Sequence, residues 1–352
     1  MTKIKSTKIK LGISIGDPNG IGIEVILKTL SDNRLMELFT PIIFGAKDVL
    51  LSQAKSLQIQ DLKFNFIDSI DNIKNGQINI LTVCEESFKH NFGEESNESG
   101  KISFQSLSSA VVSLKSNEID ALVTAPINKN AIQSPDFEFP GHTEYLQNED
   151  EASDSLMLML SDSARIGVVT GHVPLNEVGK QLSAELILAK LAILNKSLKD
   201  DFSIRKPKIA VMGLNPHAGD NGLLGKEEQE LIIPAINQAK SIGILAFGPY
   251  AADGFFGSNA YSKFDGILAM YHDQGLIPAK SFSFGSGVNF TAGLSFIRTS
   301  PDHGTAFEIA GKGTANEGSF RTALYTAAEL CKNRKLNAEL TEGALVVNKS
   351  RN

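Results

Sequence analysis

Cysteine is scarce in this sequence. Cys84 and Cys331 are the only two in 352 residues and lie far apart. That excludes a disulfide framework and fits a reducing cytoplasm, with both thiols read as buried hydrophobes. No apolar run approaches the roughly 20 residues that cross a bilayer. The N-terminal MTKIKSTKIK passes straight into the strand-like LGISIG, without the apolar core or cleavage site of a signal peptide. Basic charge is not in excess: 34 Lys and Arg face 40 Asp and Glu, a net charge of −6. This argues against nucleic acid or an anionic membrane as partner, while leaving room for a local basic pocket around a small anion. GxGxxG, Walker A, HExxH, CxxC and EF-hand patterns are all missing. No repeat and no linker divides the chain. A length of 352 residues therefore reads as one two-lobed unit, 1–352, with no legible lobe boundary.

The histidines are few but patterned. Of six, three end short β-branched-rich runs: ARIGVVTGH closes on His172, KIAVMGLNPH on His217 and KFDGILAMYH on His272. Runs of this kind predict buried parallel strands, and open α/β sheets bind ligands beyond the carboxyl ends of such strands. Three neutral imidazoles at three such ends can bind a divalent metal and leave a coordination position open. The competing reading is that each is a hydrogen-bonded loop residue.

The rest of the chain alternates strand and helix. Strands are predicted at 9–15, 40–44, 62–67, 78–83 and 119–124. Helices are predicted at 23–30, 46–56, 102–116, 151–160, 183–198, from about 226, and at 319–331, with 335–352 a peripheral tail. The turn GDPNGIG at 16–22 presents backbone N–H groups to an anion or is simply a tight strand–helix turn. Asp17 either caps the next helix or faces the site. Residues 87–101 read as a surface loop with His90 solvated. Lys129 is a solvated lysine or one that reaches a ligand. His142, Thr143 and Glu144 in FPGHTEY offer a titratable ring, a hydroxyl and a carboxylate, or a capped helix start. Asp253, in a strand-end loop FGPYAADGFF predicted at 247–256, orients a histidine, takes a proton or makes an Asx-turn. Lys280, Asn289 and Arg298 fall in the glycine-dense C-terminal part and suit carboxylate or phosphate.

The series GDPNGIGIE, VTAPINK, PGHTEYL, TGHVPL, GLNPHAGDNG, MYHDQGLIPAK and GVNFTAGLSFIRTSPDHGTAFEIAGKGTAN resembles the 4-hydroxythreonine-4-phosphate dehydrogenase family, in order, from about residue 9 to residue 330. DHGTAFEIAGKGTAN is also similar to the nicotinamide-cofactor loop of the isocitrate and isopropylmalate dehydrogenase group, which agrees with the missing Rossmann fingerprint. The resemblance implies a two-lobed α/β/α fold like that group's and a homodimer sharing its active site. It implies oxidation of 4-phosphooxy-L-threonine by NAD or NADP in pyridoxine 5′-phosphate biosynthesis, and loss of CO₂ to give 3-amino-2-oxopropyl phosphate. By the same resemblance His172, His217 and His272 bind one divalent metal (zinc, cobalt or magnesium). His142, Thr143, Lys280, Asn289 and Arg298 bind substrate, and the proton goes to Asp253, Lys280 or a metal-bound water. Gly304, Thr305, Ala306, Gly311, Gly313 and Asn316 bind the cofactor. Two alternatives stand beside this: a dehydrogenase of erythronate or threonate 4-phosphate, and a metal-dependent hydrolase.

Overall fold

The computed structural model describes residues 8–59, 62–84 and 88–342. Among them twelve strands form one sheet: β1 (Ile9–Ser14), β2 (Phe39–Gly45), β3 (Phe64–Ile67), β4 (Ile78–Thr82), β5 (Ala121–Thr124), β6 (Leu156–Leu160), β7 (Arg165–Val168), β8 (Lys208–Met212), β9 (Leu245–Tyr250), β10 (Gly266–Ala269), β11 (Val288–Ala292) and β12 (Ile297–Pro301). Their order across the sheet is β3-β4-β2-β1-β5-β12-β11-β6-β7-β10-β8-β9. Eleven α-helices accompany them: α1 (Gly22–Leu30), α2 (Leu35–Leu38), α3 (Lys47–Ser56), α4 (Asn97–Lys115), α5 (His142–Glu149), α6 (Leu175–Gln181), α7 (Ala184–Asp200), α8 (Ile233–Ser241), α9 (Ala252–Gly257), α10 (His272–Ser283) and α11 (Gly318–Glu342).

Strand direction changes in the middle. The six strands from β3 to β12 are mutually parallel, and so are the four from β7 to β9. Between them β11 is antiparallel to both β12 and β6, and β6 is antiparallel to β7. Three reversals leave the two parallel halves running in opposite directions. Their carboxyl ends therefore lie at opposite edges of the sheet.

Side-chain alternation makes the two faces unequal. On one face Ile13, Ile43, Val123, Phe290, Leu158 and Val211 join Ile26 of α1, Leu191 of α7, Ile236 of α8 and Leu324 of α11 in one continuous core. On the other face there are two separate clusters. Ile42, Phe44 and Leu122 pack with Val111 of α4 and Leu146 of α5. Met159, Ile166, Met212 and Ala269 pack with Phe255 of α9 and Leu276 of α10. Between those clusters the central strands carry Thr124, Arg298, Ser300, Asn289 and Thr291, all on the divided face by strand alternation.

Several expectations are corrected. Residues 151–160 do not form a helix: β6 occupies 156–160. Leu and Met favour helices, and with both sheet faces covered every position is apolar, which erases the period-2 signal. The expected tail begins inside α11, which runs to Glu342; residues 343–352 lie outside the described ones. Residues 247–256 are mostly regular, split between β9 and α9. The segment from 226 enters α8 through a π-helical turn, Glu228–Ile232.

Gly100 lets α4 lie against the loop after β5: a Cβ there would stand 1.7 Å from the carbonyl oxygen of Ala131. Alanine normally gains up to about 1 kcal/mol over glycine inside a helix. Here the backbone contact outweighs that gain. Gly100→Ala is expected to destabilise the protein by about 1–3 kcal/mol, read as a lower midpoint of denaturant unfolding; an unchanged or raised midpoint refutes the contact.

Candidate functional site

The gap between the two clusters is a cavity of about 290 Å³ over the central strands. Arg298 of β12 forms its floor. The guanidinium is 2% exposed and donates to the Thr124 hydroxyl from Nε and Nη2, at 3.1 and 2.7 Å, and to the Thr291 hydroxyl from Nη1, at 3.2 Å. No carboxylate neutralises it within ion-pair distance among the described residues. Burial pushes its pKa down to about 10, which still leaves it charged at neutral pH. A buried charge held only by neutral hydroxyls is costly unless an anion arrives.

Four further residues expected to bind substrate line the same cavity. Asn289 projects from β11, Lys280 from α10, and His142 and Thr143 from the start of α5. Burial, with the charges of Arg298 and Lys129, holds the His142 imidazole well below its usual pKa, so the ring is neutral. His142 Nε2 and Asn289 Oδ1 are buried without hydrogen-bond partners. Buried polar atoms are rarely left so unless a ligand satisfies them.

Of the three strand-end histidines the structure brings two together. The rings of His172 and His272 lie 5.6 Å apart, centroid to centroid, on the cavity wall. His272 Nδ1 is 2.7 Å from Asp273 Oδ1, and His172 Nδ1 is 3.8 Å from Glu144 Oε1. A carboxylate on Nδ1 favours the tautomer that leaves Nε2 free for a cation. The His172 ring in turn holds the Glu144 carboxyl below its usual range, against the opposing effect of burial. His217 lies elsewhere, with Asp253, in a neighbouring hollow of about 660 Å³ also lined by Tyr271 and Ile277. Among the described residues no group of three or more His, Cys, Asp or Glu is arranged to hold a metal ion. Within one chain two of the three imidazoles adjoin and the third does not join them.

The His217 loop is strained and braced. His217, Ala218, Asp220 and Asn221 all have positive φ, between 42° and 55°, where side chains other than glycine cost about 1–2 kcal/mol each. Buried Glu228 offsets this by accepting from the backbone N–H groups of Leu214 and Asn215, both at 2.8 Å, and from Asn215 Nδ2 at 3.0 Å. Gln274 ties the loop to the His272 helix: it accepts from the Met270 N–H and donates to the Gly213 carbonyl, both at 2.7 Å.

The expected cofactor loop packs on the first glycine-rich turn. Ile21 N–H donates to the Thr305 carbonyl at 3.0 Å, and a Cβ on Gly20 would stand 2.9 Å from that oxygen. Lys28 of α1 donates to the Gly313 and Ala315 carbonyls, and buried Glu24 accepts the Ala315 N–H at 2.8 Å. Asn316 accepts the Gly318 N–H at 2.7 Å, at the start of α11. At Gly304, which lines the cavity, an added Cβ meets nothing within 4 Å, so the space beside its backbone is open.

His90 is not simply solvated. Its ring contacts the Pro18 carbonyl at 3.0 Å and the Ser52 hydroxyl at 3.1 Å, and stacks on Phe92 with centroids 4.9 Å apart. Phe92 fills the space where a Gly311 side chain would be. Asp17 turns inward, accepting from the Asn19 N–H and the Ser99 hydroxyl; burial raises its pKa. Asp17 therefore does not face the site.

The model of the pyridoxal phosphate biosynthetic protein PdxA family matches residues 37–327. The chain belongs to this family. A 4-hydroxythreonine-4-phosphate dehydrogenase of Bacteroides thetaiotaomicron is 47% identical over 333 residues, covering 94% of this chain and 91% of that one. A relative from Oceanobacillus iheyensis, named for D-threonate 4-phosphate, is 39% identical over 92% of this chain and 98% of its own. The crystal structure of 4-hydroxythreonine-4-phosphate dehydrogenase from Klebsiella pneumoniae superposes with a TM-score of 0.82 at 31% identity, covering 93% of this chain and 98% of that one. The mixed α/β sheet described above is thus the fold of PdxA proteins.

Glu228, Gln274 and Thr124 had no signal in the sequence that marks them as supports, because their roles depend on partners distant in the chain. Glu228→Ala is expected to cost about 1.5–3 kcal/mol through its charged hydrogen bonds and to speed hydrogen exchange at residues 213–217. Unaltered exchange there would show that the loop holds its strain without this brace.

Proposed function

We propose that this PdxA chain oxidises 4-phosphooxy-L-threonine to 2-amino-3-oxo-4-phosphooxybutanoate with NAD or NADP, the product losing CO₂ to give 3-amino-2-oxopropyl phosphate. One observation carries this reading. A single cavity gathers Arg298, Lys280, Asn289, His142 and Thr143, a set suited to anions in which neither cation makes an ion pair among the described residues, beside two histidines and Gly304.

His142, Thr143, Lys280, Asn289 and Arg298 bind and orient the phosphate and carboxylate of the substrate in this reading. Neutral His142 donates or accepts a hydrogen bond without adding charge. The hydroxyl proton goes to Lys280, which lines the cavity, to Asp253 or to a metal-bound water in this reading. Asp253 stands with His217 and reaches the reaction only where two copies meet. His172, His217 and His272 would hold one zinc, cobalt or magnesium ion, whose chemistry is Lewis-acid polarisation of the substrate's oxygen. Gly304, Thr305, Ala306, Gly311, Gly313 and Asn316 would hold the nicotinamide cofactor, the hydride acceptor.

The separation of His217 from the other two histidines supports a homodimer with a shared active site, in which a second copy completes the set. An exposed apolar side chain in that hollow supports the same assembly: Ile277, 65% exposed, lines it with Phe256 and Tyr271. We assign 1–352 as one two-lobed unit, the two parallel halves of the sheet being its lobes. No helix among the described residues is long and apolar enough to cross a membrane. Both cysteines are free and buried, which supports the cytoplasm. The second reading, a dehydrogenase of erythronate or threonate 4-phosphate, draws support from the name of the Oceanobacillus relative.

The test is formation of NADH or NADPH with 4-phosphooxy-L-threonine and, in parallel, with D-erythronate and D-threonate 4-phosphates. Turnover of the amino acid is expected, abolished by chelation and restored by zinc, cobalt or magnesium. His217→Ala and His272→Ala are each expected to reduce it at least about a hundredfold. Turnover of a sugar-acid phosphate alone would transfer the assignment to the second reading, and no reduced cofactor from any of them would overturn both.

A further inference from the structure

The cavity holds one more cation than the substrate set above uses. Lys129 lies in the loop after β5, and its side chain lines the cavity wall. Its Cε passes 3.8 Å from where a Cβ on Gly141 would stand, so the side chain lies beside the first residue before α5. Its ammonium makes no hydrogen bond or ion pair among the described residues. Glu144 is close enough to feel its charge yet makes no salt bridge with it, and His142 feels the same charge. Solvated lysines are common, but this one shares a wall with three other unsatisfied donors.

The first is the amino end of α5, which Gly141 cannot cap with a side chain, so N–H dipoles remain open at a helix terminus. The second is His142, with its unpartnered Nε2. The third is Arg298, whose three hydrogen bonds leave two of five guanidinium N–H groups free. Together they offer two charges and several directed donors, the arrangement suited to a tetrahedral dianion rather than a planar carboxylate.

We propose that Lys129 is a substrate-contacting residue that binds the phosphate of the phosphorylated substrate at the start of α5. This deepens the dehydrogenase reading and rests on its assignment of a phosphorylated substrate. Lys129 then sets the preference for phosphorylated over unphosphorylated hydroxy acids.

The experiment measures binding of inorganic phosphate by calorimetry, and KM and kcat for 4-phosphooxy-L-threonine, in the full-length wild type, Lys129→Ala and Lys129→Arg. Lys129→Ala is expected to weaken phosphate binding and raise KM about tenfold or more, with kcat within about threefold. Lys129→Arg restores most of the affinity. Lys129 is exposed, so both variants should melt with the wild type; the Arg variant decides the matter if the Ala variant does not. Equal phosphate affinity and KM in all three proteins, or no phosphate affinity in the wild type, overturns the proposal. Phosphate affinity lost in Lys129→Ala without turnover in the wild type would sustain the phosphate site and sink the dehydrogenase reading instead.

Discussion

A buried guanidinium with no ion pair among the described residues constrains this fold more than any other group. Arg298 projects from a central strand onto the divided face, where an aliphatic residue would have let the two flanking clusters fuse. Its hydrogen bonds to Thr124 and Thr291 fix its plane across three neighbouring strands. Hydroxyls satisfy geometry but not charge, so the site is incomplete as a folded object and complete only with an anion. The polar stripe of Thr124, Arg298, Asn289 and Ser300 is therefore at once a gap in the core and the floor of the cavity.

The reversal of strand direction explains why the site lies over the sheet. Had all twelve strands been parallel, the groups at their carboxyl ends would gather beyond one edge. Here β5 and β12 deliver Thr124 and the loop from Asp302 toward one edge, while β7 and β10 deliver His172 and His272 toward the other. Helix α10 starts at His272 and carries Lys280 two turns later, so it bridges the distance between them.

Much of this was legible in the sequence. The β-branched runs ending in histidine are strands β7, β8 and β10, and the five residues expected to bind substrate line one cavity. The local motifs specified these because each depends on a few adjacent residues. Strand β6 was not legible, since a strand covered on both faces has the composition of a buried helix. His90 was misread because its partners, Pro18 and Ser52, are distant in sequence and belong to a turn whose shape no local pattern specifies. The brace from Glu228 to the His217 loop was invisible for the same reason, among several neighbouring acids in KEEQE. The place of His217 across α10 from the other two histidines depends on tertiary packing, which spacing alone does not encode.

The inequality of the two faces has a mechanical meaning. A sheet sealed on one side by a single core and on the other by two separate ones is stiff against bending toward the sealed side, where packed side chains would have to compress. Bending the other way changes only the width of a polar gap. Flexing of the central antiparallel strands about the continuous core as a spine is the deformation this asymmetry opposes least, and it widens or narrows the cavity. Binding energy from a small anion is well matched to such a motion, because it acts across the gap and meets little elastic resistance.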